Sequence, residues 1–155
     1  MNAVAPRTPS ETRVLSFALM LPDRANHLGH VHGGWIMKLV DEAGGLAATR
    51  HARRPVVTVA VEGMVFHRPV PTGSVLRFEA SVVAVGRTSI DVVVDVHRED
   101  PVAATLERVH TASMVYVALG EDLRPAPVPP LSPETPLELE RHRVAMERRA
   151  AREPG

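Results

Sequence analysis

The chain has 155 residues, 18 basic and 18 acidic side chains, eight His and no Cys. That length fits one compact domain able to bury about 70% of its unfolded surface, and the missing Cys excludes disulfides, thiolate zinc sites and a Cys nucleophile. A formal net charge of zero lacks the basic excess of a nucleic-acid binder or a polybasic membrane anchor, so neither partner is expected. Residues 1–13 read as a polar N-terminal extension without an apolar leader. No apolar run approaches the roughly 18 residues that span a bilayer, and a cytoplasmic setting is the expectation.

The core is expected over 14–120. Val14–Leu21 alternates as a strand, with Leu15, Phe17, Leu19 and Leu21 on one face. Pro22–Val31 is a polar loop. Gly33–Arg50 has the spacing of a helix, closed by His51–Pro55. Pro55–Phe66 is β-branched and strand-like, with Gly63 at a bulge or bend. Val75–Val85 and Ser89–Arg98 follow as strands around a Gly86-Arg87-Thr88 turn. In the second, Ile90, Val92, Val94 and Val96 point inward and Asp91, Asp95 and His97 outward. Glu99-Asp100-Pro101 starts another turn, and Leu106–Leu119 is the last long strand. One helix within a run of hairpin-linked strands makes the fold α+β.

Beyond the core, prolines 125, 127, 129, 130, 133 and 136 rule out a paired strand, so 121–135 is read as an extended linker. Residues 136–155 read as a peripheral C-terminal helix. Its start carries a capping box of Thr135, Pro136 and Glu138, and its apolar stripe is thin: Leu137, Leu139, Val144 and Met146.

The helix at 33–50 carries the most information. Ile36, Leu39, Val40, Ala43 and Ala47 form one stripe, while Lys38, Glu42 and Thr49 form a polar edge. The remaining face holds Met37, Asp41, Gly44, Gly45 and Ala48, so the helix is apolar or small on two sides and buried on most of its surface. A mid-helix glycine costs about 1 kcal/mol relative to Ala. The Gly44-Gly45 pair therefore points to close approach by another backbone or a ligand. Asp41 is the lone charge on that face. Either it accepts hydrogen bonds from a loop or pairs with Lys38, or it is a functional carboxylate.

No Ser, Thr, Asp or Asn precedes Gly33 to cap the helix. Its first N–H groups are then open either to water or a loop oxygen, or to an oxyanion or polarised carbonyl, with Gly33-Gly34 leaving the approach clear. The loop before it contains Asn26, which suits a turn or a donor to a carbonyl, and His27, His30 and His32, whose spacing matches no common zinc pattern. No metal or resident cofactor is expected. Gly86-Arg87-Thr88-Ser89 offers a guanidinium, two hydroxyls and turn N–H groups, a set that suits a phosphate or an ordinary polar hairpin.

Together, the run from Pro22 to Gly34 (PDRANHLGHVHGG) and the run from Ile36 to Gly44 (IMKLVDEAG) resemble the hotdog-fold acyl-CoA thioesterases. The resemblance is to the acyl-CoA hydrolase branch that includes the brain cytosolic enzyme and small bacterial relatives. Val57-Thr58-Val59, Phe66–Val70, Gly73 and Gly86–Ser89 add to it. It implies a curved antiparallel sheet wrapped around one long helix, in dimers or trimers of dimers. It implies hydrolysis of fatty acyl-CoA to fatty acid and CoA, with Asp41 as general base or nucleophile. It also implies that Asn26 is supplied by the opposite protomer and that the Gly34 N–H, with Gly33, polarises the thioester oxygen. His32, Arg87, Thr88 and Ser89 would contact substrate or CoA. Two other readings remain: a hotdog hydratase or dehydratase pairing His32 with Asp41, and a non-catalytic acyl-CoA-binding module.

Overall fold

A computed structural model describes residues 4–152 of the chain. Five strands, β1 (Val14–Leu19), β2 (Val56–Phe66), β3 (Val75–Val85), β4 (Ser89–Asp100) and β5 (Thr105–Ala118), form one antiparallel sheet in the order β1-β3-β4-β5-β2. A short helix, α1 (Pro9–Thr12), precedes them. The long helix α2 (Gly33–Ala52) lies between β1 and β2, and α3 (Pro136–Arg152) closes the chain. The α+β expectation holds, with boundaries displaced by one or two residues.

The sheet wraps α2 because one face of each central strand is apolar. Leu76, Phe78, Ala80 and Val82 of β3, Ile90, Val92, Val94 and Val96 of β4, and Ala112, Met114 and Tyr116 of β5 are all buried against Ile36, Val40, Ala43 and Ala47 of α2. The helix ends where Arg53 turns left-handed (φ 54°) and its N–H reaches the Thr49 carbonyl at 2.8 Å. Arg50 in the last turn opposes the negative end of the helix dipole. Pairing of β2 with β5 slips between Thr58 and Ala60 and again between Val61 and Gly63, which places a bulge beside the expected glycine.

Three placements add to the sequence reading. The β1 face of Leu15, Phe17 and Leu19 is exposed, and the inward residues are Val14, Ser16, Ala18 and Met20. Asp91 and Asp95 do sit on the outer face of the sheet, yet they are buried because α3 covers them. Arg149 and Arg152 bind Asp91 at 3.0 and 3.2 Å, and Arg141 binds Asp95 at 2.6 Å. The apolar stripe of α3 is not its packing face: Leu137, Leu139, Val144 and Met146 are exposed, and only Ala145 is buried, against the outer face near Val83 and Val93. Charge complementarity therefore seats this helix more than apolar area does. The capping box forms as expected, with Glu138 N–H donating to Thr135 Oγ1 and Thr135 N–H to Glu138 Oε2, each at 3.1 Å.

The proline-rich segment is extended but docked. Its Val128 N–H bonds the Arg87 carbonyl, Leu131 pairs with Arg7, and the buried His51 ring joins the Pro129 carbonyl at 2.8 Å. No helix among the described residues is long and apolar enough to cross a membrane.

Burial lowers the pKa of His51, and burial likewise lowers that of His110 beneath Phe66. A histidine neutral in the fold binds a proton more readily once unfolded. Its stabilising contribution is thus complete above the unfolded value of about 6.5 and lost as pH falls below it toward the folded value. The urea midpoint is expected to drop between about pH 7.5 and pH 5.5 and to drop less for His51→Gln. A midpoint that rises over this interval would contradict the assignment.

Candidate active site

Asp41 lies two turns into α2, half-buried, facing the β2–β5 pair. Thr58 Oγ1 donates to its Oδ1 at 2.7 Å. Tyr116 Oη donates to the same oxygen and to the Asp41 carbonyl, each at 3.1 Å. Thr58 and Tyr116 are cross-strand partners, so a single row of the sheet delivers both hydroxyls. Asp41 Oδ2 has no partner among the described residues. The carboxylate lines an open cleft with Gly45, Leu46, Thr49 and Val56.

Neither expected partner of Asp41 is used. Lys38 reaches Glu42 instead, at 3.9 Å on the exposed edge, and among the described residues no loop group hydrogen-bonds the Asp41 carboxylate. Thr58 and Tyr116 were not singled out by their own chemistry in the sequence. The Gly44-Gly45 pair was their signal: the Tyr116 side chain comes close at Gly44, and Gly45 lines the cleft. A Cβ on Gly44 would lie 2.4 Å from Tyr116 Oη.

The other candidates gather at the start of α2. Asn26 Oδ1 accepts the N–H groups of Leu28 and His30 at 2.9 and 3.2 Å, which folds the loop back on itself. This use of Oδ1 leaves the Nδ2 group as the donor end. Asn26 shares an apolar cleft with Gly33, Ile36, Phe66 and Val70. The helix start is capped after all. His32 Nδ1 accepts the Gly34 N–H at 3.0 Å, a role a neutral imidazole can fill as Asn or Ser would. Gly34 is therefore not the free donor expected. The Gly33 N–H has no partner among the described residues, and Gly33, not Gly34, lies beside Asn26. His32 and Gly34 line a separate shallow cleft with Trp35 and Lys38. Among the described residues no group of three or more His, Asp or Glu is arranged to hold a metal ion.

The 86–88 hairpin extends from the same end of the sheet as Asp41, because Ile90 pairs with Tyr116 and Ser89 with Val117. Arg87 is exposed. Ser89 Oγ is already occupied as acceptor from Arg149 at 2.9 Å, so α3 shapes this turn. None of Arg87, Thr88 and Ser89 enters either cleft.

The two clefts share no residue. Gly33 and Asp41 are eight residues apart on one helix, hence about 12 Å along its axis. Reacting groups must come within about 3–3.5 Å of the atom they act on. One chain thus holds Asn26 with Gly33 in one cleft and Asp41 in another, too far apart to act together on one atom.

Comparison with known proteins identifies the family and the fold. The Thioesterase superfamily model matches residues 28–105. An uncharacterized acyl-CoA thioester hydrolase of Zymomonas mobilis is 40% identical over 83% of this chain and 84% of its own length. The acyl-CoA hydrolase of Staphylococcus aureus, solved with butyryl coenzyme A and coenzyme A, superposes with a TM-score of 0.89 at 30% identity over 94% of this chain and 91% of its own. A hexameric acyl-CoA thioesterase superposes at 0.91, with 30% identity and 96% of each chain covered. The chain belongs to the thioesterase superfamily and has the hotdog fold of its acyl-CoA hydrolases.

Proposed function

We propose that this chain hydrolyses acyl-CoA thioesters to a carboxylic acid and CoA at a site shared by two protomers. The observation that carries the reading is the separation of two half-sites on one chain, a donor half at Asn26 and Gly33 and a carboxylate half at Asp41, each lacking what the other supplies. The free edge of β2, with Val57, Val59 and Val61 exposed along it, suits pairing with a second copy. Similar proteins support an assembly: two related thioesterases were solved as hexamers.

In the proposed reaction the Asn26 Nδ2 group and the Gly33 N–H of one protomer polarise the thioester oxygen. Asp41 Oδ2 of the other takes a proton from water as its oxygen attacks the carbonyl carbon. The tetrahedral intermediate then expels the CoA thiolate, which the Asp41 proton neutralises. A thiolate leaves readily, so position, base and oxyanion donors suffice. Arg87 and Thr88 at the hairpin are proposed contacts for the CoA phosphates, with Ser89 fixing the turn through Arg149. CoA is then substrate and product, not a resident cofactor, and the cytoplasm remains the proposed compartment.

Structures of the S. aureus hydrolase include alanine variants of an Asn, an Asp and a Thr. These are separated by 15 and 17 residues. The same spacings separate Asn26, Asp41 and Thr58.

The hydratase alternative called on His32, and that ring has its Nδ1 engaged in the helix cap, in a cleft separate from those of Asn26 and of Asp41. The test is a series of acyl-CoAs of rising chain length with a dye that traps free thiol. Multiple turnovers of CoA release are expected. Saturable binding without thiol release would leave a binding module instead, and hydration of an enoyl-CoA without thiol release would restore the hydratase.

A further inference from the structure

The geometry points to Tyr116 as a positioning residue for the reaction, holding the Asp41 carboxylate in its attacking orientation, with Gly44 kept free of a side chain to admit the hydroxyl. This inference rests on the reading of Asp41 as the catalytic carboxylate and adds to it the means of orientation.

Tyr116 is buried, and its hydroxyl forks between the Asp41 carbonyl and Oδ1. The first of these contacts ties the hydroxyl to the helix backbone and the second to the carboxylate. Together they fix the torsion between backbone and carboxylate. Thr58 adds a second donor to the same Oδ1, from the neighbouring strand. With Oδ1 held twice, Oδ2 is left without a partner among the described residues, on a side chain that lines the cleft. Burial, and then the nearby Asp41 charge, raise the phenol pKa, so the group remains a donor throughout the working range of pH.

The helix has yielded to make room. At Gly44 a Cβ would stand 2.4 Å from Tyr116 Oη and 3.2–3.3 Å from two ring carbons, closer than any real contact to the oxygen and only slightly tight to the ring. Gly45 carries no such conflict, since its Cβ would lie 3.7 Å from the ring. A glycine in mid-helix costs stability, and at position 44 that cost is tied to one oxygen atom. The close approach thus serves the hydroxyl in particular and not the aromatic ring alone.

The test compares Tyr116→Phe, Gly44→Ala, the double variant and Asp41→Asn in steady-state thiol release, with thermal midpoints for each. Tyr116→Phe is expected to lower kcat by about tenfold with KM little changed, because the ring stays and only the orientation loosens. Gly44→Ala is expected to lower both kcat and the midpoint. Adding Gly44→Ala to Tyr116→Phe is expected to cost little further in kcat and to recover part of the midpoint, since the oxygen it strikes is gone. A merely structural tyrosine would show the reverse pattern: a lower midpoint with kcat within twofold of the parent. That result, alongside an inactive Asp41→Asn, overturns the role of Tyr116 and leaves Asp41 standing. Additive losses in the double variant overturn the role given to Gly44. Full activity in Asp41→Asn removes the reading on which both depend.

Discussion

Asp41→Asn is expected to lower kcat by about 10³-fold, within the 10²–10⁴ range of a lost general base, while the fold and KM stay close to the parent. The substitution is nearly isosteric. The amide keeps an Oδ1 that still accepts from Thr58 and Tyr116, so the contacts that seat the side chain survive. What changes is the second position, where an NH₂ group replaces the free Oδ2 and can neither take a proton nor attack a carbonyl. Steady-state thiol release measures the rate, and a urea midpoint within error of the parent shows that the loss is chemical. A variant retaining more than a tenth of the parental kcat would mean that another group does this work.

Much of the fold was legible because its strands obey a period of two and its helix a period of 3.6. Ile90, Val92, Val94 and Val96 pointed inward as their alternation required, and Ile36, Val40, Ala43 and Ala47 formed the stripe that the sheet covers. The outer layer was less legible. Asp91 and Asp95 read as outward and are so, but alternation reports the face and not what covers it. Their arginine partners lie some fifty residues further along, in α3. Leu15, Phe17 and Leu19 stand exposed for a related reason: alternation marks a strand with two faces and does not say which one the domain buries.

The site was legible in outline and less so in its contacts. Asp41 stood out as a lone carboxylate on a small, apolar helix face, and Asn26 and Gly33 by their place ahead of the helix. The cap was missed because histidine seldom serves there; of the two expected donors, His32 engages Gly34 and leaves Gly33 free among the described residues. Thr58 and Tyr116 meet Asp41 only through pairing of β2 with β5, a contact between residues far apart in sequence. The glycine pair recorded that contact from the helix side, and only the fold could name the tyrosine.

A site assembled from two chains can be rebuilt by subunit complementation. Asn26→Asp keeps an Oδ1 for the Leu28 and His30 N–H groups but replaces the Nδ2 donor with a charged oxygen, so the loop stays folded and the donor half fails. Homo-oligomers of Asn26→Asp and of Asp41→Asn are each expected to be almost inactive. When the two are co-refolded in equal amounts, about half of randomly formed dimers are mixed, and each mixed dimer has one site with both halves intact. Recovery of about a quarter of the parental activity is the predicted result, by that two-fold arithmetic. A mixture no more active than its two components, with mixed dimers verified by mass, would contradict a shared site and return both residues to a single chain.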